Sequence, residues 1–218
     1  MTSTAANNRP FGADARLGDP YAASEEERLA RLQDLLQGVP HVMDILMAVL
    51  DVSLPDAWLV SGGIYQTVWN ILTNRPLFHG IKDFDVIYFD GTDLSYAAED
   101  SVISKVNAAL PQLTNLLEVR NQARVHLWYE ERFGRPYRPL DCSMDALTTY
   151  AARTHAVAAR LGPDGGIVLH APFGLANLFG MRLVPNHALN NRETYEEKAE
   201  RMKRLWPELE IVPWTATG

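Results

Sequence analysis

The sequence predicts an α/β protein with short strands flanked by helices, on three observations. Apolar runs of strand length alternate with longer stretches whose apolar residues recur at helical spacing. The run from Asp83 to Phe89 is apolar on both faces in its second half, as a central strand covered on both sides requires. Gly62-Gly63 cuts off another apolar run and opens helical periodicity, which marks a strand passing through a tight turn into a helix.

The elements follow in order. Met1 to about Ala23 mixes Thr, Asn, Gly, Pro and Ala without periodicity and reads as a flexible lead-in, residues 1–23. Ser24 with Glu27 forms a capping box, and Leu29, Leu32 and Leu36 continue a helix. Pro40 starts the next, whose apolar stripe is Met43, Leu46, Met47 and Leu50. Ala57 to Ser61 is a short strand, and Ile64, Val68, Ile71 and Leu72 carry the helix after the glycine turn. Asn74 to Lys82, with Pro76 and Gly80, is a loop leading into the strand at Asp83. Ile103, Val106 and Leu110 mark a helix stopped by Pro111. Leu116 to Arg120 is a third strand, and Asn121 caps a helix running to about Phe133.

Residues 24–133 read as the core and 134–218 as a C-terminal extension packed on it. Within the extension, a short helix begins near Ser143, Val157 to Leu161 and Ile167 to His170 form a hairpin across a glycine-rich turn, and a short helix spans about Leu175 to Met181. A last long helix is expected from a cap at Thr194, stopped by Pro207 before a strand near Ile211.

Composition narrows the function. At 218 residues and 47% apolar content the chain suits one folded domain with an appendage. No stretch approaches the roughly 20 apolar residues of a membrane span, and the first residues lack the basic-then-apolar order of a secretory signal. A cytoplasmic protein without a membrane partner is expected. Cys142, the one cysteine, has no second with which to form a disulfide or a zinc site. A net charge of -7 and a pI near 5.3 argue against an extended nucleic-acid partner. Basic residues concentrate locally at Arg120 with Arg124, at Arg132 with Arg135 and Arg138, and at Arg201 with Lys203 and Arg204; the last group reads as a solvated face.

The chemistry is carried by alternating acids. Asp83 and Asp85, at i and i+2 of a strand, send both carboxylates from one face. Hard oxygens so paired suit Mg²⁺, and a helix opening on small residues offers bare N–H groups to an anion. Glu118, the acid on the third strand, is the candidate for a third carboxylate, and Arg120 shares its face. Asn121, Arg124 and Trp128 fall on one helix face, so that Arg124 is placed to hold phosphate or acceptor and Trp128 to stack on a base; a core role for Trp128 weighs slightly more. Gln122 and His126 form another i, i+4 pair, read as structural, and the remaining histidines show no metal-ligand spacing.

The Ser61-Gly62-Gly63 turn followed by Asp83-Phe84-Asp85-Val86 resembles the polymerase-beta-type nucleotidyltransferase superfamily. More narrowly, SGGIYQTVWN, IKDFDVIYFD, EVRNQARVHLWYEERFG, APFGLANLF and the late VPN are similar to a bacterial family of nucleotidyltransferase-like proteins, over about Leu54 to Pro207. The resemblance implies a nucleotidyltransferase-like mixed-sheet α/β core, with Asp83 and Asp85 binding Mg²⁺ and Gly62 and Gly63 seating a nucleoside triphosphate (NTP). Two features depart from the superfamily pattern: the spacing from Gly63 to Asp83 is longer, and Gly stands where Ser is frequent.

Together these readings give a Mg²⁺-dependent nucleotidyltransferase, Mn²⁺ being a substitute metal, that moves a nucleoside monophosphate (NMP) from an NTP to a small-molecule or protein acceptor. Asp83, Asp85 and Glu118 are the catalytic and metal candidates; Ser61, Gly62, Gly63, Arg120 and Arg124 are the nucleotide-binding candidates. A non-catalytic nucleotide- or protein-binding module on the same fold is the alternative, and a metal-dependent phosphohydrolase a third.

Overall fold

Two three- to five-residue strands running in opposite directions set the frame. In the computed structural model, which describes residues 14–215, β1 (Trp58–Val60) pairs antiparallel with β2 (Phe84–Tyr88), and Val60 lies opposite Asp85. β2 pairs parallel with β3 (Leu117–Asn121), which puts Glu118 beside Asp85. On the other side β1 pairs antiparallel with β4 (Ala158–Leu161), which forms a hairpin with β5 (Ile167–His170). The result is a mixed five-stranded sheet in the order β3-β2-β1-β4-β5.

The helices are α1 (Glu25–Gln37), α2 (Pro40–Asp51), α3 (Gly62–Leu72), α4 (Tyr96–Ala109), α5 (Val125–Phe133), α6 (Ser143–Leu147), α7 (Ala176–Phe179) and α8 (Arg192–Leu205). Two further strands, β6 (Arg182–Leu183) and β7 (Glu210–Ile211), pair parallel in a small separate sheet. No helix among the described residues is long and apolar enough to cross a membrane.

Local sequence accounts for several of these boundaries. Ser24 accepts the Glu27 amide while the Glu27 carboxylate accepts the Ser24 amide, closing the expected capping box of α1. Pro40 occupies the first turn of α2, where its missing N–H costs nothing. Gly134 ends α5 at φ +68, a left-handed conformation that glycine adopts without a Cβ penalty. The strand at Asp83 begins one residue later than expected, at Phe84. The last helix begins earlier than its expected Thr194 cap: Asn191 is the N-cap, and its side chain makes no capping bond.

Strand alternation divides the sheet's side chains between two cores. Leu59, Phe84, Val86, Tyr88, Val119 and Ala159 join the main core with the long helices. Trp58, Val60, Ile87 and Ala158 face the other way and are covered by Leu140, Ala146 and Leu147 from the chain around α6. Asp85, Glu118 and Arg120 alternate onto that second face, where the cover stops short and a cleft opens.

Two regions differ from the sequence reading. The lead-in was expected to be loose through Ala23; residues 1–13 lie outside the described residues, but Ala15–Gly18 is a 3-10 turn with Leu17 buried. Gly18 sits so tightly against Gly180 that a Cβ would come within 2.6 Å of its Cα. The hairpin of the C-terminal region was expected to lie on the core; instead β4 bonds directly to β1, so residues 158–170 extend the central sheet. Unpaired N–H and C=O groups along the β1 edge make that continuation favourable.

Asn74 to Lys82, the insertion that lengthens the turn-to-acid spacing, is pinned rather than slack. Asn70 at the end of α3 donates to the Leu77 and His79 carbonyls at 3.0 and 2.9 Å and accepts from the Trp206 indole at 3.0 Å. Arg201 of α8 donates to the Gly80 carbonyl at 2.6 Å. These bonds return the chain to the sheet so that β2 begins beside the point where β1 ends.

Candidate functional site

Register alone brings the glycine turn and the acids together. Because β1 and β2 are antiparallel with Val60 opposite Asp85, the residue after Val60, Ser61, lies next to the acidic end of β2. Ser61 has φ 55 and ψ -119, a conformation uncommon for a residue with a Cβ and costing on the order of 1–3 kcal/mol. It is held there by its amide bonding to the Val157 carbonyl at 2.9 Å, and by its own carbonyl accepting from Ile64 and Tyr65 at 2.9 and 3.0 Å.

A cleft of about 650 Å³ opens in front of this turn, and Ser61, Asp85, Glu118, Arg120, Arg124 and Trp128 all line it. Its opposite wall comes from the C-terminal region through Tyr150, His155, Asn191, Thr194 and Lys198. Asp83, one residue before β2 and half-buried, does not line the cleft but acts on Asp85 through its charge. Trp128, weighed as core, is half-buried against the cleft.

Gly62 and Gly63, expected to seat the triphosphate, are both buried. A Cβ on Gly63 would lie 2.8 Å from Phe84 Cδ1 and 3.0 Å from Leu59 Cδ1, so α3 reaches the sheet this closely only with glycine there. A Cβ on Gly62 would meet only the end of the Gln66 side chain, at 2.7 Å. Gly63→Ala is therefore expected to destabilise the fold by about 1–3 kcal/mol, and Gly62→Ala by clearly less, because Gln66 can swing away. Urea denaturation of the two variants checks the ordering; equal losses would contradict it.

Arg124, a nucleotide-binding candidate, is already committed. Its guanidinium pairs with Glu99 of α4, both being buried, and its Nε donates to the Leu94 carbonyl at 2.8 Å. Glu99 also accepts the Asn121 amide at 2.9 Å. Asn121 is likewise structural: its side chain bridges the Asp90 amide and carbonyl at 3.1 and 2.9 Å and caps the turn into α5 through the Ala123 amide. Sequence spacing put Arg124 on a cleft-facing stripe, but it did not reveal the acid on α4 that claims it.

The electrostatics centre on Asp85. Burial, then the charges of Asp83 and Glu118, push its carboxyl up to about 7, against the opposing pull of Lys198 and Arg120. Among the described residues neither Asp83 nor Asp85 has a side-chain hydrogen bond or ion pair, whereas Glu118 pairs with Arg120 at 3.1 Å. No group of three His, Cys, Asp or Glu side chains among the described residues is arranged to hold a metal ion. Two unpartnered, mutually repelling carboxylates nonetheless fit a hard divalent cation, because a positive charge between them removes the cost of ionising Asp85.

The C-terminal wall carries His155, set aside in the sequence for want of metal-ligand spacing, and two residues that the sequence reading did not single out, Asn191 and Lys198. His155 is fully buried, stacks on Tyr65 with ring centroids 4.2 Å apart, and leaves its Nε2 unpartnered; burial and the nearby Lys198 and Arg201 hold it well below the usual histidine range, hence neutral. Asn191 is buried with its Oδ1 unpartnered. Lys198 is exposed and makes no ion pair among the described residues. Asn191, Thr194 and Lys198 occupy i, i+3 and i+7 of one α8 face, a spacing visible in the sequence once that helix is known to face the cleft.

Comparisons with known proteins agree with the fold. A family model described as nucleotidyltransferase matches residues 47–211. A solved structure described as the NMR structure of a protein that reveals a CCA-adding enzyme head domain superposes with a TM-score of 0.70 at 26% identity. The match covers 85% of this chain and 96% of that one. No curated protein matches the chain.

Proposed function

The chain belongs to the nucleotidyltransferase family, and from that premise we propose that it transfers an NMP from an NTP to a small-molecule or protein acceptor, releasing pyrophosphate. The observation that supports the reading is the placement of Asp85 beside Glu118 and next to the Ser61 turn, produced by β1–β2–β3 register, with the Asp83 charge near enough to act on Asp85. Asp83 and Asp85 would hold Mg²⁺ or Mn²⁺, which when bound supplies charge neutralisation for the polyphosphate.

The chain's own groups do the rest. Ser61 and the start of α3 meet the anionic tail with the positive end of an eleven-residue helix. Lys198 adds a cation to the same cleft, and Arg120 another, once Glu118 turns to the acceptor. Glu118, in register with Asp85, takes the proton of the acceptor hydroxyl. The acceptor oxygen bonds to the α-phosphorus as the bond to the β-phosphate bridge breaks, and that electron pair leaves on pyrophosphate.

The charge of -7 weighs against a long RNA as acceptor, and a cytoplasmic setting suits an NTP-consuming enzyme. The test is pyrophosphate release with each NTP and Mg²⁺ or Mn²⁺, in a mixture of metabolite-sized acceptors. Asp83→Asn is expected to lower the rate by about a hundredfold or more while the NTP analogue still binds.

One observation favours a second reading. The Glu118–Arg120 pair ties up the third acid, as suits a module that binds nucleotide without turning it over. Nucleotide binding with no pyrophosphate under any acceptor mixture would select that reading, and release of inorganic phosphate instead would select a phosphohydrolase.

A further inference from the structure

An in-line displacement puts the attacking oxygen and the departing pyrophosphate on opposite sides of the phosphorus. The sheet order makes those two sides of the cleft distinct. Ser61 and the start of α3 follow β1, on one side of Asp85, while β3 and the helix after it, α5, lie on the other. If the polyphosphate tail sits at α3, the acceptor sits against α5. This inference therefore rests on the proposed transfer reaction.

The α5 side has a definite chemistry. Trp128, Tyr129, Phe133 and Tyr137 line the cleft, with Tyr129 and Tyr137 stacked at 4.4 Å and Tyr129 4.6 Å from Phe133. Tyr137 is fixed by a bond of 3.0 Å between its hydroxyl and Thr149. Two cations stand among these rings: Arg132, whose guanidinium carbon lies 6.0 Å from the Trp128 ring and 5.5 Å from Phe133, and Arg135. Neither makes an ion pair among the described residues, although the chain as a whole is acidic. Unlike Arg124 and Arg120, they have no carboxylate partner among the described residues, which leaves them to a ligand.

We propose that this wall is the acceptor subsite and that the acceptor is a small anion carrying a planar ring, its ring stacked on Trp128 and Tyr129 and its negative charge held by Arg132 and Arg135. Stacking offers rings a flat, sequence-indifferent surface, and a guanidinium beside that surface adds attraction both to the ring face and to a phosphate or carboxylate.

The test uses full-length protein saturated with Mg²⁺ and an α,β-methylene NTP analogue, titrated by calorimetry with three probes. Pyridoxine 5′-phosphate has ring and charge, pyridoxine the ring alone, and glycerol 3-phosphate the charge alone. The doubly equipped probe is expected to bind about tenfold or more tighter than either of the others. Arg132→Gln, Arg135→Gln and Trp128→Leu should each weaken it about fivefold or more while the NTP analogue binds as before and the melting temperature holds. Equal affinity for pyridoxine 5′-phosphate and glycerol 3-phosphate, no binding of any probe, or variants that instead weaken the NTP analogue would overturn the assignment; the last outcome would make the wall a base-binding site. If the analogue binds and Asp83→Asn stops pyrophosphate release while the α5 variants change nothing, the subsite falls and the transfer reading stands. If the analogue does not bind at all, both fall.

Discussion

Replacing Asp85 with Asn is expected to lower nucleotidyl transfer on the order of a thousandfold and, at pH 8, to raise the stability of the ligand-free protein. The two effects share one cause, the crowding of Asp85 by burial and by Asp83 and Glu118. The unfolded chain ionises this carboxyl near its ordinary value of 3.8, the folded chain only near 7. Between those values the folded state holds the extra proton, so stability is full below the lower one, falls as pH rises, and reaches its floor above about 7. The amide has no charge to bury. Asp85→Asn should thus melt higher than wild type at pH 8 by roughly 5 °C, for a gain of about 2 kcal/mol, and the difference should vanish toward pH 4. Mg²⁺ should narrow the gap at pH 8 by binding the wild-type carboxylates. Calorimetric scans across pH, with and without Mg²⁺, test this; a variant less stable than wild type at pH 8 would refute it.

Arg124→Met is the second large expectation, and it is one of stability rather than affinity. Removing the guanidinium leaves Glu99, 6% exposed, with the Asn121 amide as its remaining partner, and leaves the Leu94 carbonyl without its donor. Breaking a buried pair from one side costs about 3–5 kcal/mol, because the surviving charge is stranded. The double variant Glu99→Leu with Arg124→Leu should recover much of that loss, since no charge is then buried alone. Guanidinium denaturation of both measures it. A normally stable Arg124→Met with weakened NTP binding would return Arg124 to the ligand.

That contrast shows where the sequence stopped being readable. The alternation Asp83-Phe84-Asp85 and the Gly62-Gly63 turn were legible because period and backbone freedom are local properties. Their meeting in space was implied by two short apolar strands, and Glu118 followed from being the acid on the next one. Arg124 lines the cleft as its stripe suggested, but its partner Glu99 lies on another helix, and a stripe of side chains says which way a residue points, not what already holds it. Gly63, expected to seat the triphosphate, also packs against Phe84 and Leu59, a close approach that the turn signal alone did not reveal. His155 was set aside for want of metal-ligand spacing, and Asn191 and Lys198 were not singled out, since the pairing of β4 with β1 that carries this region to the mouth of the cleft is not a local property. Long-range strand pairing of this kind leaves no periodic trace in a single chain.

That same β1–β4 ladder has a mechanical consequence. The Ser61 turn and the chain that leads from His155 into β4 are bolted to one hydrogen-bonded plate, so these two parts of the site keep a fixed spacing. Against that fixed plate, the side chains at the mouth, Glu118 and Arg120 among them, are left to adjust by changing rotamer as reactants exchange.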